Sequence, residues 1–115
     1  MDPIKFRIKQ VVIPIVHEDL GETRKIVFRS QSYRKDREAL ADVQTIGDDE
    51  ASAFALLEKN LSNIVSDKDD VNWILDNFDK FDIIEIIKTA MIEMRNNATR
   101  KDAIKKHPLK NVSNG

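Results

Sequence analysis

The sequence has no cysteine, which removes several chemistries at once. Disulfides, thiolate metal sites and cysteine nucleophiles are all excluded. Glycine and proline number only three each, and every glycine stands alone. There is accordingly no glycine-rich phosphate loop and no flexible linker to divide the chain. No run approaches the ~18 consecutive apolar residues of a membrane span. Met1-Asp2-Pro3, followed by alternating charge, lacks the pattern of a signal peptide, so the expected location is cytoplasmic. Histidine is equally sparse. His17 falls in a turn-like stretch and His107 in the C-terminal tail, with no third ligand or nucleophile beside either, so neither a zinc site nor a base–nucleophile pair is supported.

What remains is a chain of 115 residues, 41% hydrophobic and 34% charged, enough for one core and too little for two. Its net charge of −1 conceals a strong segregation. Residues 1–41 carry nine basic and six acidic groups, and residues 42–82 carry three and eleven. Residues 83–94 carry one and two, and residues 95–115 carry six and one. Two basic ends flank an acidic middle, a pattern of self-neutralisation or of separate surfaces for separate partners.

Ile4, Phe6 and Ile8 alternate with Lys5, Arg7 and Lys9, the period of a half-buried strand. Past Gln10 the phase flips to Val11, Ile13 and Ile15, which suits a bulge or a strand changing faces. Pro14 lacks a ladder donor and assigns this strand to an edge. His17–Glu22 reads as a turn in which Gly21 takes a positive φ, and Arg24–Arg29 reads as the return strand with Ile26 and Phe28 on one face. A lone hairpin is marginal in water, so helices must cover it.

Ser30 or Ser32 is placed to cap a helix over 33–44 with Tyr33, Ala39, Leu40 and Val43 as its apolar stripe. A second helix is expected from about Glu50 to Val65, with Phe54, Leu57, Leu61, Ile64 and Val65 inward. Ser66-Asp67-Lys68-Asp69 has the form of a capping box opening a short helix with Val71, Ile74, Leu75 and Phe78 inward. Asp79 or Asp82 starts the most apolar helix, closed by Asn96-Asn97. The expected fold is α+β: an N-terminal β-hairpin packed on three or four helices as one domain over residues 1–97, with a basic, mobile tail over 98–115.

The acidic run Asp67-Lys68-Asp69-Asp70 fails as a calcium loop, because positions five, six and twelve from Asp67 are Val71, Asn72 and Phe78. Glu85 and Glu93 flank Lys88 on the wet side of the last helix rather than forming an acid–base pair. No metal, cofactor or catalytic residue is assigned, and an enzyme is not expected. Arg100, Lys101, Lys105 and Lys106 could contact phosphates, but the tail lacks stacking aromatics. Trp73, out of phase with Val71, Ile74 and Phe78, is either wedged between elements or an exposed anchor for a protein partner. Ile83, Ile87, Met91 and Met94 carry the same choice between core and an adaptable binding face.

A hairpin ending in Val27-Phe28-Arg29, then Ser32-Tyr33-Arg34-Lys35-Asp36-Arg37-Glu38-Ala39-Leu40, an acidic helix, a tryptophan-bearing short helix and an apolar helix follow in order. This order, over roughly residues 4–95, resembles the small tail assembly chaperones and baseplate hub assembly chaperones of tailed bacteriophages. The resemblance implies a non-enzymatic factor in the host cytoplasm that shields a hydrophobic segment of a tail, tape-measure or hub protein. Its partner face would then include Trp73, Ile83, Ile87, Met91 and Met94, and homo-oligomers are possible within it. The alternatives are a small structural virion subunit, or a nucleic-acid-associated accessory protein acting through the basic tail.

Overall fold

In the computed structural model the backbone is described for residues 1–106 and the side chains for residues 1–96. Two antiparallel strands, β1 (Gln10–His17) and β2 (Glu22–Arg29), precede four helices: α1 (Tyr33–Thr45), α2 (Glu50–Ile64), α3 (Lys68–Asn77) and α4 (Lys80–Lys106). This is the α+β arrangement expected, a hairpin packed on four helices. Gly21 takes φ of 66° in the connecting turn, where its amide donates to the Glu18 carbonyl.

The strand begins later than the alternation suggests. Ile4, Phe6 and Ile8 lie outside β1 and are exposed, so the phase flip at Gln10 marks the start of the strand and not a bulge within it. The reason lies in β2. It ends at Arg29, opposite Gln10, and beyond it the chain turns into α1, so β2 offers nothing extended to pair with residues 4–8.

The helix starts follow local chemistry. Ser32 accepts from the Lys35 amide, Asp49 from Ala51 and Asp67 from Asp69. Asp79 accepts from the Asp82 amide ahead of α4. Each oxygen satisfies an orphan N–H at the positive end of a helix dipole. Asp67, and not Ser66, is thus the cap of α3. Arg29 closes the other end of α2, donating from Nε to the Asn63 carbonyl and from its guanidinium NH2 to the Ser62 carbonyl. A strand residue thereby supplies the cation that the last turn of α2 lacks.

One core joins all these elements except α1. It takes Ile26 and Phe28 from β2, Leu57, Leu61 and Ile64 from α2, Val71, Trp73 and Ile74 from α3, and Ile83, Ile87, Ala90 and Met94 from α4. The α4 residues recur at helical spacing as a single buried stripe. Ile84, Ile86 and Met91 flank it half-buried, while Phe81 and Ile92 are exposed. Asn96-Asn97 does not end α4, which runs to Lys106. The tail expected over 98–115 therefore starts as helix, and residues 107–115 lie outside the described residues.

Two helix faces also differ from expectation. On α2 the buried stripe is Ala53, Leu57, Asn60, Leu61 and Ile64, which leaves Phe54 exposed. On α1 only Ala39 is buried, and Tyr33 and Leu40 face solvent. The α1 helix is held at its end by Asp42, which accepts from Lys59 Nζ and from Nδ2 of the buried Asn60, both at 3.1 Å.

Candidate protein-docking site

Trp73 is core. It is 7% exposed, its Nε1 donates to Glu22 at 3.2 Å, and its ring meets Phe78 edge-on at 5.3 Å. The Arg24 guanidinium lies 5.2 Å above the same ring and pairs with Asp70 at 3.0 Å. His17 completes this clasp. Its Nδ1 accepts from the Leu20 amide, so Nε2 carries the hydrogen and donates to the Asn77 carbonyl at 3.0 Å. The clasp fastens the turn end of the hairpin to α3, and explains why Trp73 is out of phase with Val71 and Ile74. A short helix wedged between a hairpin and other helices buries two of its sides.

Ile83, Ile87 and Met94 are likewise buried, and Met91 is half-buried. The five residues expected to form a partner face are therefore not displayed as one, because each is taken up by packing within the chain. Arg100, Lys101, Lys105 and Lys106 sit on the last turns of the α4 backbone, and their side chains lie outside the described residues.

The surface left open is elsewhere, along β1. Ser30 donates its amide to the Lys9 carbonyl, and the pairing keeps one constant register from Gln10–Arg29 to His17–Glu22. Antiparallel hydrogen bonding alternates, so the backbone groups of odd residues in β1 turn toward β2 and those of even residues turn away. The far side of β2 is engaged at one end, where Ser66 donates to the Val27 carbonyl and Phe28 bridges to Val65. The far side of β1 has no partner strand among the described residues. It presents the N–H groups of Gln10, Val12 and Val16 and the carbonyls of these and Pro14. Pro14 thus loses its donor on the free edge, where the β2 ladder does not need it.

Beside that edge lies an open groove of about 270 Å³. Ile13, Pro14, Ile15 and Val16 make one wall, Ile86, Thr89 and Glu85 of α4 the other, and Phe28 also contributes. Its polar groups are few, a carboxylate and a hydroxyl at the α4 side. Among the described residues no three His, Cys, Asp or Glu side chains gather to hold a metal, and no helix is long and apolar enough to cross a membrane.

The outer face of the hairpin is more apolar on β1. Val12 and Val16 are exposed there, whereas the outward residues of β2 are Thr23, Lys25, the half-buried Val27 and Arg29. Sequence reading assigned Pro14 to an edge but passed over Val12 and Val16. Their even phase, opposite to Val11, Ile13 and Ile15, was the available signal.

No protein-family model, curated protein or solved structure matches the chain.

Proposed function

We propose that the protein is a non-enzymatic binding factor that takes an extended, apolar segment of a partner protein along the β1 edge. The reading is carried by one observation: an unpaired edge with outward donors and acceptors runs directly beside an apolar groove. Strand addition uses both parts. Main-chain hydrogen bonds supply affinity, and alternate side chains entering the groove supply selectivity. In the tail or baseplate assembly chaperones that the element order resembles, the segment would belong to a tail, tape-measure or hub protein.

The test uses fluorescently labelled peptides with apolar residues at alternate positions, titrated into the full chain at low and high salt. Binding that survives high salt is expected, because the edge and groove are largely uncharged. Val12→Pro removes an outward donor without touching the β2 ladder and should weaken binding, as should Ile86→Lys in the groove wall. Binding unaffected by either substitution refutes the site. Binding that is lost with salt and transfers to oligonucleotides would instead support the basic end of α4 as the working surface.

A further inference from the structure

We propose that a second copy of this chain covers the β1 edge, each copy laying its N-terminal arm, residues 4–9, along the other's β1. This concerns the same edge as the partner reading but does not depend on that reading being right: a partner segment would take the edge by displacing the arm.

The arm is built like a strand and has no partner strand among the described residues. Ile4, Phe6 and Ile8 are 80%, 85% and 69% exposed, and Lys5, Arg7 and Lys9 alternate with them. It cannot fold back on its own edge without breaking its root. The Lys9 carbonyl accepts from the Ser30 amide at 2.8 Å, and the Lys9 amide donates to Ser30 Oγ at 2.9 Å. Both bonds hold Lys9 in line with β1, so the arm continues away from the hairpin.

Placed against β1 of another copy, the arm fits in both polarity and charge. The free edge offers its backbone groups at even positions, and an arm that continues β1 without a bulge offers its own at even positions too. Even must then pair with even. Residues opposed in an antiparallel pair share a face, so Ile4, Phe6 and Ile8 fall beside Val12, Pro14 and Val16, the exposed apolar row of β1. Lys5 and Arg7 fall on the opposite face, toward the groove and α4. There the partner offers Glu85 in the groove wall and Asp82 one turn before it. The long basic side chains can lay their stems over Ile13 and Ile15 while their heads reach those carboxylates. Pairing about a twofold axis supplies two such arms and joins the two hairpins into one four-stranded sheet.

The experiment is sedimentation equilibrium on the full chain across micromolar concentrations. A species of twice the 13.2 kDa chain mass is expected. Phe6→Asp with Ile8→Asp should give the monomer with an unchanged far-UV circular dichroism spectrum, because the arm supports nothing in its own copy. Val12→Pro should also give the monomer. Mixing this edge variant with the arm variant should restore a heterodimer, since one intact arm still meets one intact edge. A wild-type chain that stays monomeric throughout overturns the proposal, as does an arm variant that dimerises like wild type. Peptide capture by monomeric variants with an intact edge would leave the partner reading standing whichever way the dimer result falls.

Discussion

Trp73→Ala separates a core tryptophan from an interface anchor, and the structure permits its cost to be worked out. Truncating a buried Trp to Ala costs about 3–5 kcal/mol through lost transfer energy and the cavity left behind. The Nε1 bond to Glu22 adds about 1 kcal/mol and the stacked Arg24 about 0.5–1 kcal/mol. The expected loss is about 4.5–7 kcal/mol against a total stability of about 5–15 kcal/mol for a domain of this kind. With a urea dependence of about 1.5 kcal/mol per molar, the unfolding midpoint should fall by about 3–5 M. Trp73→Phe keeps an aromatic ring against Phe78 and forfeits chiefly the Glu22 bond, so it should cost only about 1–2 kcal/mol. Far-UV circular dichroism in urea measures both variants. In the wild type the sole tryptophan adds an emission maximum that should shift to the red on unfolding. A Trp73→Ala midpoint within about 0.5 M of wild type would refute the clasp as a stabilising unit. Such a result, combined with lost peptide binding, would return Trp73 to the role of an exposed anchor.

Three further outcomes follow from single residues. Asp42 feels burial, which pushes its carboxyl up, but the Asn60 hydrogen bond and the Lys59 bond and charge outweigh it and hold it below the ordinary 3.8. A lowered value stabilises the fold above the unfolded pKa and is lost as pH falls through the folded one, so the urea midpoint advantage over Asp42→Asn should be constant at neutral pH and shrink below about pH 4. Gln31 has both side-chain amide atoms buried without a partner, so Gln31→Met should raise stability by about 1 kcal/mol; a loss in thermal unfolding would show that the amide is satisfied in solution. A Cβ at Gly21 would meet nothing within 4 Å, which leaves the positive φ as the only cost, so Gly21→Ala should destabilise by about 1–2 kcal/mol and Gly21→Asn by less in the same measurement.

The hairpin and all four helices were legible because their signals are local. Ile26 and Phe28 alternate on one face, Asp49 and Asp67 stand where helices begin, and Ile83, Ile87, Ala90 and Met94 recur at helical spacing. The errors arose where a residue's fate depends on something distant in the chain. Ile4, Phe6 and Ile8 have a strand's alternation, but alternation cannot say whether a neighbouring strand extends far enough to pair with it. Tyr33 and Leu40 have a helix's spacing, yet α1 buries only Ala39 fully and stands apart from the main core. Trp73 looked unplaced because a single helical phase assumes a single buried face, and α3 has two. Asn96-Asn97 is weak helix sequence, but weak propensity does not stop a helix already propagating through four buried residues of one stripe.

The same dependence on distant partners locates the docking surface. A two-stranded sheet has two edges and two faces, and among the described residues the β1 edge has no backbone partner along its whole length. The inner face receives the helices, the Val27–Phe28 end of the far β2 edge receives Val65 and Ser66, and the outward side of β2 carries Thr23, Lys25 and Arg29 beside the half-buried Val27. Were β1 simply a solvated edge, its outward positions would be expected to carry charge, the usual defence of an open strand. They carry Val12, Pro14 and Val16 instead, and only the proline serves that defence. Pro14 removes one donor from the row and leaves those of Gln10, Val12 and Val16 in place. An edge only partly blunted, flanked by valines and by a groove, is suited to pairing with a segment whose register tolerates one missing hydrogen bond. The arm that precedes it, with Ile4, Phe6 and Ile8 on the matching face, is such a segment.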